Sequence, residues 1–239
     1  TNTTFPTSGW TNTSNGATVN APTSTGNHYL HVRATDNAGN IRQFTSNVFR
    51  IDRTAPTLSL SQSPTGYTNG NVTITATGSD SHSGVKRIRL SGGSWITGNS
   101  MTHVVSANGT YSFQVEDNAG NTHTESITIN NIDKILPTVS LSTNGGGWSR
   151  SHSTTINVSD SGGSGLNTVQ YRWTTNTTFP TSGWSNGSNG TTVNAPTTTG
   201  NHYLHVRATD NAGNVRQFTS SVFQVDRTAP SMPTISAPS

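Results

Sequence analysis

Apolar and polar residues alternate along this chain in short runs of period two. Between Thr57 and Ile129 the runs are Thr57 to Ser61, Asn71 to Thr77, Val85 to Leu90, Thr102 to Ser106, Thr110 to Glu116 and Thr122 to Ile129, each bounded by Gly, Asn, Ser or Pro. Successive side chains of a strand point to opposite faces, so such alternation predicts strands with one buried face. No stretch carries a helical period of useful length. The alternation also selects a core. It puts Val169, Tyr171 and Trp173 on one face of a strand and Leu204, Val206 and Ala208 on one face of another, with Ile88, Leu90, Tyr111, Phe113 and Val115 as their earlier counterparts.

Self-comparison then organises the strands. Thr1 to Pro56 matches Thr175 to Pro230 at an offset of 174 residues, with eight differences. A diverged relative lies between the copies. The joins Asp52-Arg53-Thr54-Ala55-Pro56, Asp133-Lys134-Ile135-Leu136-Pro137 and Asp226-Arg227-Thr228-Ala229-Pro230 place their prolines 81 and then 93 residues apart. Each unit thus holds six or seven short strands with frequent turns, the pattern of an immunoglobulin-like or fibronectin-III-like sandwich. The predicted fold class is all-β: tandem sandwiches joined by short Pro-containing linkers. The expected boundaries are 1–53 for the C-terminal part of a domain whose first three strands are missing, 54–134 and 135–227 for complete domains, and 228–239 for the start of another. A half sandwich has an open face and unpaired edges. Two explanations fit it: a window cut from a longer repetitive polymer, or strands donated by a neighbouring chain.

Composition narrows the function classes. Hydrophobic residues make up 28% and charged residues 10%, with a formal charge of +3. Disorder needs high net charge as well as low hydrophobicity, so thin sandwich cores are expected instead. No apolar run is long enough for a membrane span. The basic residues are scattered, which gives nucleic-acid binding no support. Cysteine is absent, which excludes disulfides, thiol catalysis and Cys-based zinc sites.

Three motifs together carry a family resemblance. They are Asp-Ser-x-Ser-Gly-Val at Asp80 to Val85, with a looser form at Asp160 to Leu166; Tyr-Leu-His-Val-Arg-Ala-Thr-Asp-Asn-Ala-Gly-Asn at Tyr29 to Asn40 and Tyr203 to Asn214; and the Asp-Arg-Thr-Ala-Pro joins. With these the chain resembles the bacterial Ig-like repeat domains of large surface and secreted proteins. The resemblance implies a tandem β-sandwich used as a stalk, spacer or fibre segment in adhesins and filaments, or as an accessory domain beside secreted enzymes. It implies no catalytic residues.

Acidic residues number ten, and eight fall at repeated loop and join positions. In a sandwich of this topology the entry to the first strand, the loop after the second and the loop after the sixth share one end. Asp52, Asp80 and Asp117 are therefore expected to cluster, as are Asp133, Asp160 and Asp210. Three carboxylates with loop carbonyls suit calcium, a hard cation that takes six to eight oxygens. Alternatively each Asp caps its own turn, with Arg53, Lys134 and Arg227 balancing the charge; no cofactor is required on that reading. The thrice-repeated Asp-Asn-Ala-Gly-Asn segment reads as a hairpin loop.

Other candidates are weaker. His28 and His31, like His202 and His205, lie three apart, on opposite faces of a strand, and cannot chelate one ion. The two lysines, Lys86 and Lys134, are not core positions, which argues against isopeptide cross-links. Eight Asn-x-Ser/Thr sequons, at Asn2, Asn12, Asn71, Asn108, Asn157, Asn176, Asn186 and Asn189, match chance for this composition. Trp10 and Trp184 either stack sugars or close the sandwich edge. No nucleophile motif is present, and the chain is read as no enzyme. The expected function is an extracellular, cell-surface or secreted structural repeat, partnered by copies of itself or adjoining repeats. The alternative is a glycan-binding or substrate-targeting module of a secreted hydrolase.

Overall fold

The structure, a computed structural model, describes residues 3–234. Among them there are twenty strands and no helix, and no helix is long and apolar enough to cross a membrane. The last residues of the 228–239 segment, 235–239, lie outside the described residues, and residues 228–234 form no strand. The chain divides into two compact units. One holds the residues through Ser63 with Thr73–Val104 and Gly109–Thr128; the other holds Pro64–Val72, Val105–Asn108 and the chain from Ile129 onward.

In the first unit, Thr57–Ser63 pairs antiparallel with Val72–Ser79, which pairs with Ser100–Val105. A second sheet runs in the order Thr122–Ile129, Gly109–Asp117, Val85–Leu90, Ile96–Thr97. The two face each other. Leu58, Ile74 and Ala76 from one sheet and Ile88, Phe113 and Val115 from the other are buried, as period-two alternation requires. The sheets approach so closely at Gly78 that a Cβ there would come 2.7 Å from Val115 Cγ2, so a larger residue would force the layers apart. The same unit contains two isolated pairs, Gly26–His28 with Phe49–Ile51 and His31–Thr35 with Ile41–Thr45.

In the second unit, Ser153–Ser159 lies between Thr138–Leu141 and Thr191–Asn194. Opposite stands a larger sheet built around Gly200–Asp210, which pairs with Leu166–Thr174, Val215–Thr219 and Phe223–Val225. Ile156, Val158, Val169, Val193, Leu204, Val206 and Ala208 form its buried core, with Tyr171 and Trp173 packed against it.

Candidate functional site

The site begins with the Asp-Asn-Ala-Gly-Asn loop. At Asp117 the backbone turns tightly enough that Gly120 has φ +92°, a left-handed value that favours glycine. The turn places the Ala119 and Asn121 amides on Asp117 Oδ1, at 2.9 and 2.8 Å, and Asn121 Nδ2 on Oδ2 at 2.7 Å. Asp210 repeats the bonds to Asn214, and Asp36 repeats them to Asn40.

The loop does more than close a hairpin. Asn121 Nδ2 also donates to the Asp52 carbonyl at 3.2 Å, and Asn214 Nδ2 to the Asp133 carbonyl at 3.0 Å. Asn118 Nδ2 donates to the Ser83 and Gly84 carbonyls, and Asn211 Nδ2 to those of Ser164 and Gly165. The two asparagines of each loop thus clamp the incoming join and the loop after the second strand. These bonds reach across 69 and 81 residues, so no local pattern announces them.

The clamps draw the predicted aspartates together. One carboxylate oxygen from each of Asp52, Asp80 and Asp117 lies within 4.8 Å of the others, and the same holds for Asp133, Asp160 and Asp210. Asp117, Asp133 and Asp210 are buried. Backbone donors meet much of this charge: Asp80 Oδ1 accepts the His82, Ser83 and Gly84 amides, and Asp52 Oδ2 accepts the Ser83 amide. Asp133 accepts the Ile135 amide on Oδ1 and the Ser164 amide on Oδ2. A Cβ on Gly162 would overlap Asp133 Oδ1, so only glycine lets that loop close over the carboxylate. Contacts from Ser83, then the Thr54 amide, hold Asp52 below the usual carboxylate range. Burial pushes Asp133 up, but the Ser164 and Ile135 donors outweigh it and leave it low as well. Asp52 and Asp133 therefore meet neutral pH as carboxylates.

Two of the three expected counter-charges bond elsewhere. Lys134 Nζ donates to the Ser106 carbonyl and Arg227 Nε to that of Arg150. Among the described residues no ion pair reaches either trio. Long, flexible cations find carbonyls with less desolvation than a buried carboxylate demands. What remains is a pair of hard-oxygen clusters of the kind that takes a divalent cation.

The remaining candidates resolve into structure. His205 is buried, with Nδ1 on Thr219 Oγ1 and Nε2 near Thr174 Oγ1 and the Asn176 carbonyl; His202 Nε2 bonds the Thr198 carbonyl. The two rings serve different partners. Arg33 lies over the Trp10 ring and Arg207 over Trp184, while Arg87 and Arg89 both stack on Trp95. Phe5 and Phe179 pack beside Trp10 and Trp184, so each indole meets both an arginine and a phenylalanine of its own copy. Ser81 Oγ meets His82 Nδ1 at 3.1 Å, but the two are neighbours on an exposed loop, and among the described residues no carboxylate hydrogen-bonds the ring from its other side.

Two family models match the chain. The bacterial Ig-like domain (group 3) matches residues 18–115, and the bacterial Ig-like domain matches residues 144–227. Among solved structures, the fibronectin(III)-like modules of Clostridium thermocellum CbhA are 15% identical, over 74% of this chain and 100% of theirs, with a TM-score of 0.34. No curated protein matches. With family matches over most of its length and sandwich sheets in both units, the chain belongs to the bacterial Ig-like domains.

Proposed function

We propose that the chain is a spacer segment of an extracellular surface stalk or fibre. Bacterial Ig-like domains are structural or accessory modules, typically without catalysis, and are common in extracellular and surface proteins. The observation that carries the reading is the join at Asn131 to Asp133. All three residues are buried, whereas a flexible linker stays solvated. Asn131 Nδ2 donates to the Pro64 and Gly66 carbonyls. Asn108 brackets Ile132 by donating to its carbonyl and accepting its amide, and Asn214 and Ser164 hold Asp133 from the other side. A join held by hydrogen bonds on both flanks resists local unfolding under tension. Limited proteolysis of the purified chain should leave Asn131 to Asp133 uncut, and a glycan array should show no binding. Early cleavage at the join, or a specific glycan signal, would replace the spacer reading with that of an accessory binding module.

The trios of Asp52, Asp80, Asp117 and of Asp133, Asp160, Asp210 serve this role as calcium sites. Their support is the convergence of three carboxylate oxygens within 4.8 Å of one another, with no ion pair to either trio among the described residues. Calcium bound only by the folded state raises stability by mass action, so EDTA should lower the melting temperature and calcium should restore it. An unchanged melting curve would leave the trios as hydrogen-bonded turns.

A further inference from the structure

Period-two alternation sends Leu204, Val206 and Ala208 into the core, so His205 points out of the opposite face of the sheet. It is nevertheless 0% exposed. What covers it is the segment 175–184, which carries no strand and, among the described residues, makes no backbone–backbone hydrogen bond. Side chains hold it instead. Thr174 Oγ1 donates to the Asn176 carbonyl at 2.6 Å, His205 Nε2 lies 3.2 Å from the same carbonyl, and Phe179 meets the imidazole edge-on at 5.5 Å. Arg172 Nη1 donates to the Ser182 carbonyl, and Trp184 packs against Phe179 and under Arg207. The Trp184 indole N–H is buried without an acceptor, a cost that opening would relieve. The earlier copy repeats the ring set, with Phe5 5.3 Å from His31 and Arg33 over Trp10.

We propose that residues 175–184 form an acid-released lid on the outer face of this sheet, with His205 as its latch. Thr174 Oγ1 gives its one proton to the Asn176 carbonyl. His205 Nε2 therefore carries the hydrogen that bonds back to Thr174 Oγ1 at 2.8 Å, and Nδ1 accepts from Thr219 Oγ1 at 2.9 Å. A second proton goes to Nδ1 and reverses the Thr219 bond. The imidazolium then faces Arg172, its direct partner across the ladder, and Arg207, two residues along its own strand on the same face. Thr219, opposite it on Val215–Thr219, is uncharged, as is every residue of the covering segment. Among the described residues no ion pair brings a carboxylate to this face. A buried cation beside two others is disfavoured, and lifting the lid hydrates it without disturbing Leu204 or Val206. The closed state binds the proton less readily than the open one, so falling pH opens the lid before the core gives way. Opening presents Phe179 and the Trp184 indole to solvent.

Hydrogen exchange of the whole chain at about pH 7 and pH 5.5, corrected for intrinsic rates, tests the latch. Peptides running from Phe179 through Gly187 report on this lid alone, because Ser185-Asn186-Gly187 differs from Thr11-Asn12-Thr13 of the earlier copy. Opening of the segment is expected to rise about three- to tenfold at the lower pH, with no change over Leu204 to Ala208, and His205→Gln should abolish the rise. NMR titration of the unaltered chain gives a second measurement in case that variant loosens the lid at every pH. The Trp184 indole N–H should shift with the same midpoint as the His205 ring. No rise, an equal rise in His205→Gln, a rise shared by Leu204 to Ala208, or a Trp184 midpoint unlike that of His205 would each overturn the proposal.

Discussion

Asn214 and Asn40 hold the same place in two copies of one loop; among the described residues Asn214 sends a bond out of it, to the Asp133 carbonyl, and Asn40 bonds within it, to Asp36. Replacing Asn214 by Ala removes one donor from the buried Asp210 carboxylate and one from the Asp133 carbonyl, a loss of about 1–3 kcal/mol. Asn40→Ala removes only exposed contacts and should cost about 0.5 kcal/mol or less; chemical denaturation of the two variants checks the contrast. His205 gives a second residue-level prediction. Burial, with repulsion from Arg172, lowers its pKa below the ordinary value, although the Asn176 carbonyl pulls the other way. The unfolded chain then binds the proton more readily than the folded one, so stability falls as pH drops below about 6.5. Melting temperatures between pH 7 and 5 should decline, and His205→Gln should flatten that limb. Asp52 and Asp133, held low, act further down. Their contribution is full above about pH 4 and is lost as pH falls through their folded pKa values.

At the scale of elements, strand positions were legible because alternation is a local property. Val85–Leu90 and Thr122–Ile129 appear where the pattern puts them, and Leu204, Val206 and Ala208 are all buried. The convergence of the aspartates was legible too, since topology fixes which loops share an end. The asparagine clamps were not, because their partners are distant carbonyls that leave no trace in spacing. Nor was the placement of Lys134, whose side chain chooses among many acceptors. One matched pair of substitutions measures what covering a sheet contributes. Val206→Ala removes buried carbon at a fully covered face and should cost roughly 1.5–3 kcal/mol. Val32→Ala makes the same change on the open copy, and its unfolding free energy should move by less than about 0.5 kcal/mol.

For the whole molecule, scarcity of charge is the governing property. Few exposed charges, 13 cations and 10 anions in all, leave little for monovalent salt to screen. Raising NaCl from about 0.05 to 0.5 M should shift the melting temperature by no more than about 3 °C, a result open to calorimetry. The near-identity of the two copies has a kinetic consequence during folding. Residues 26–51 and 200–225 present the same pairing surface to one strand block, Thr138 to Thr174. Proximity separates them: Thr174 reaches its partner Tyr203 across a segment of about 30 residues, whereas the earlier copy must close a loop of more than about 80 residues at greater entropic cost. The difference is modest, so a fraction of the refolding chains is expected to mispair. A slow phase should appear when the chain is refolded from denaturant, and it should vanish when residues 1–53 are removed.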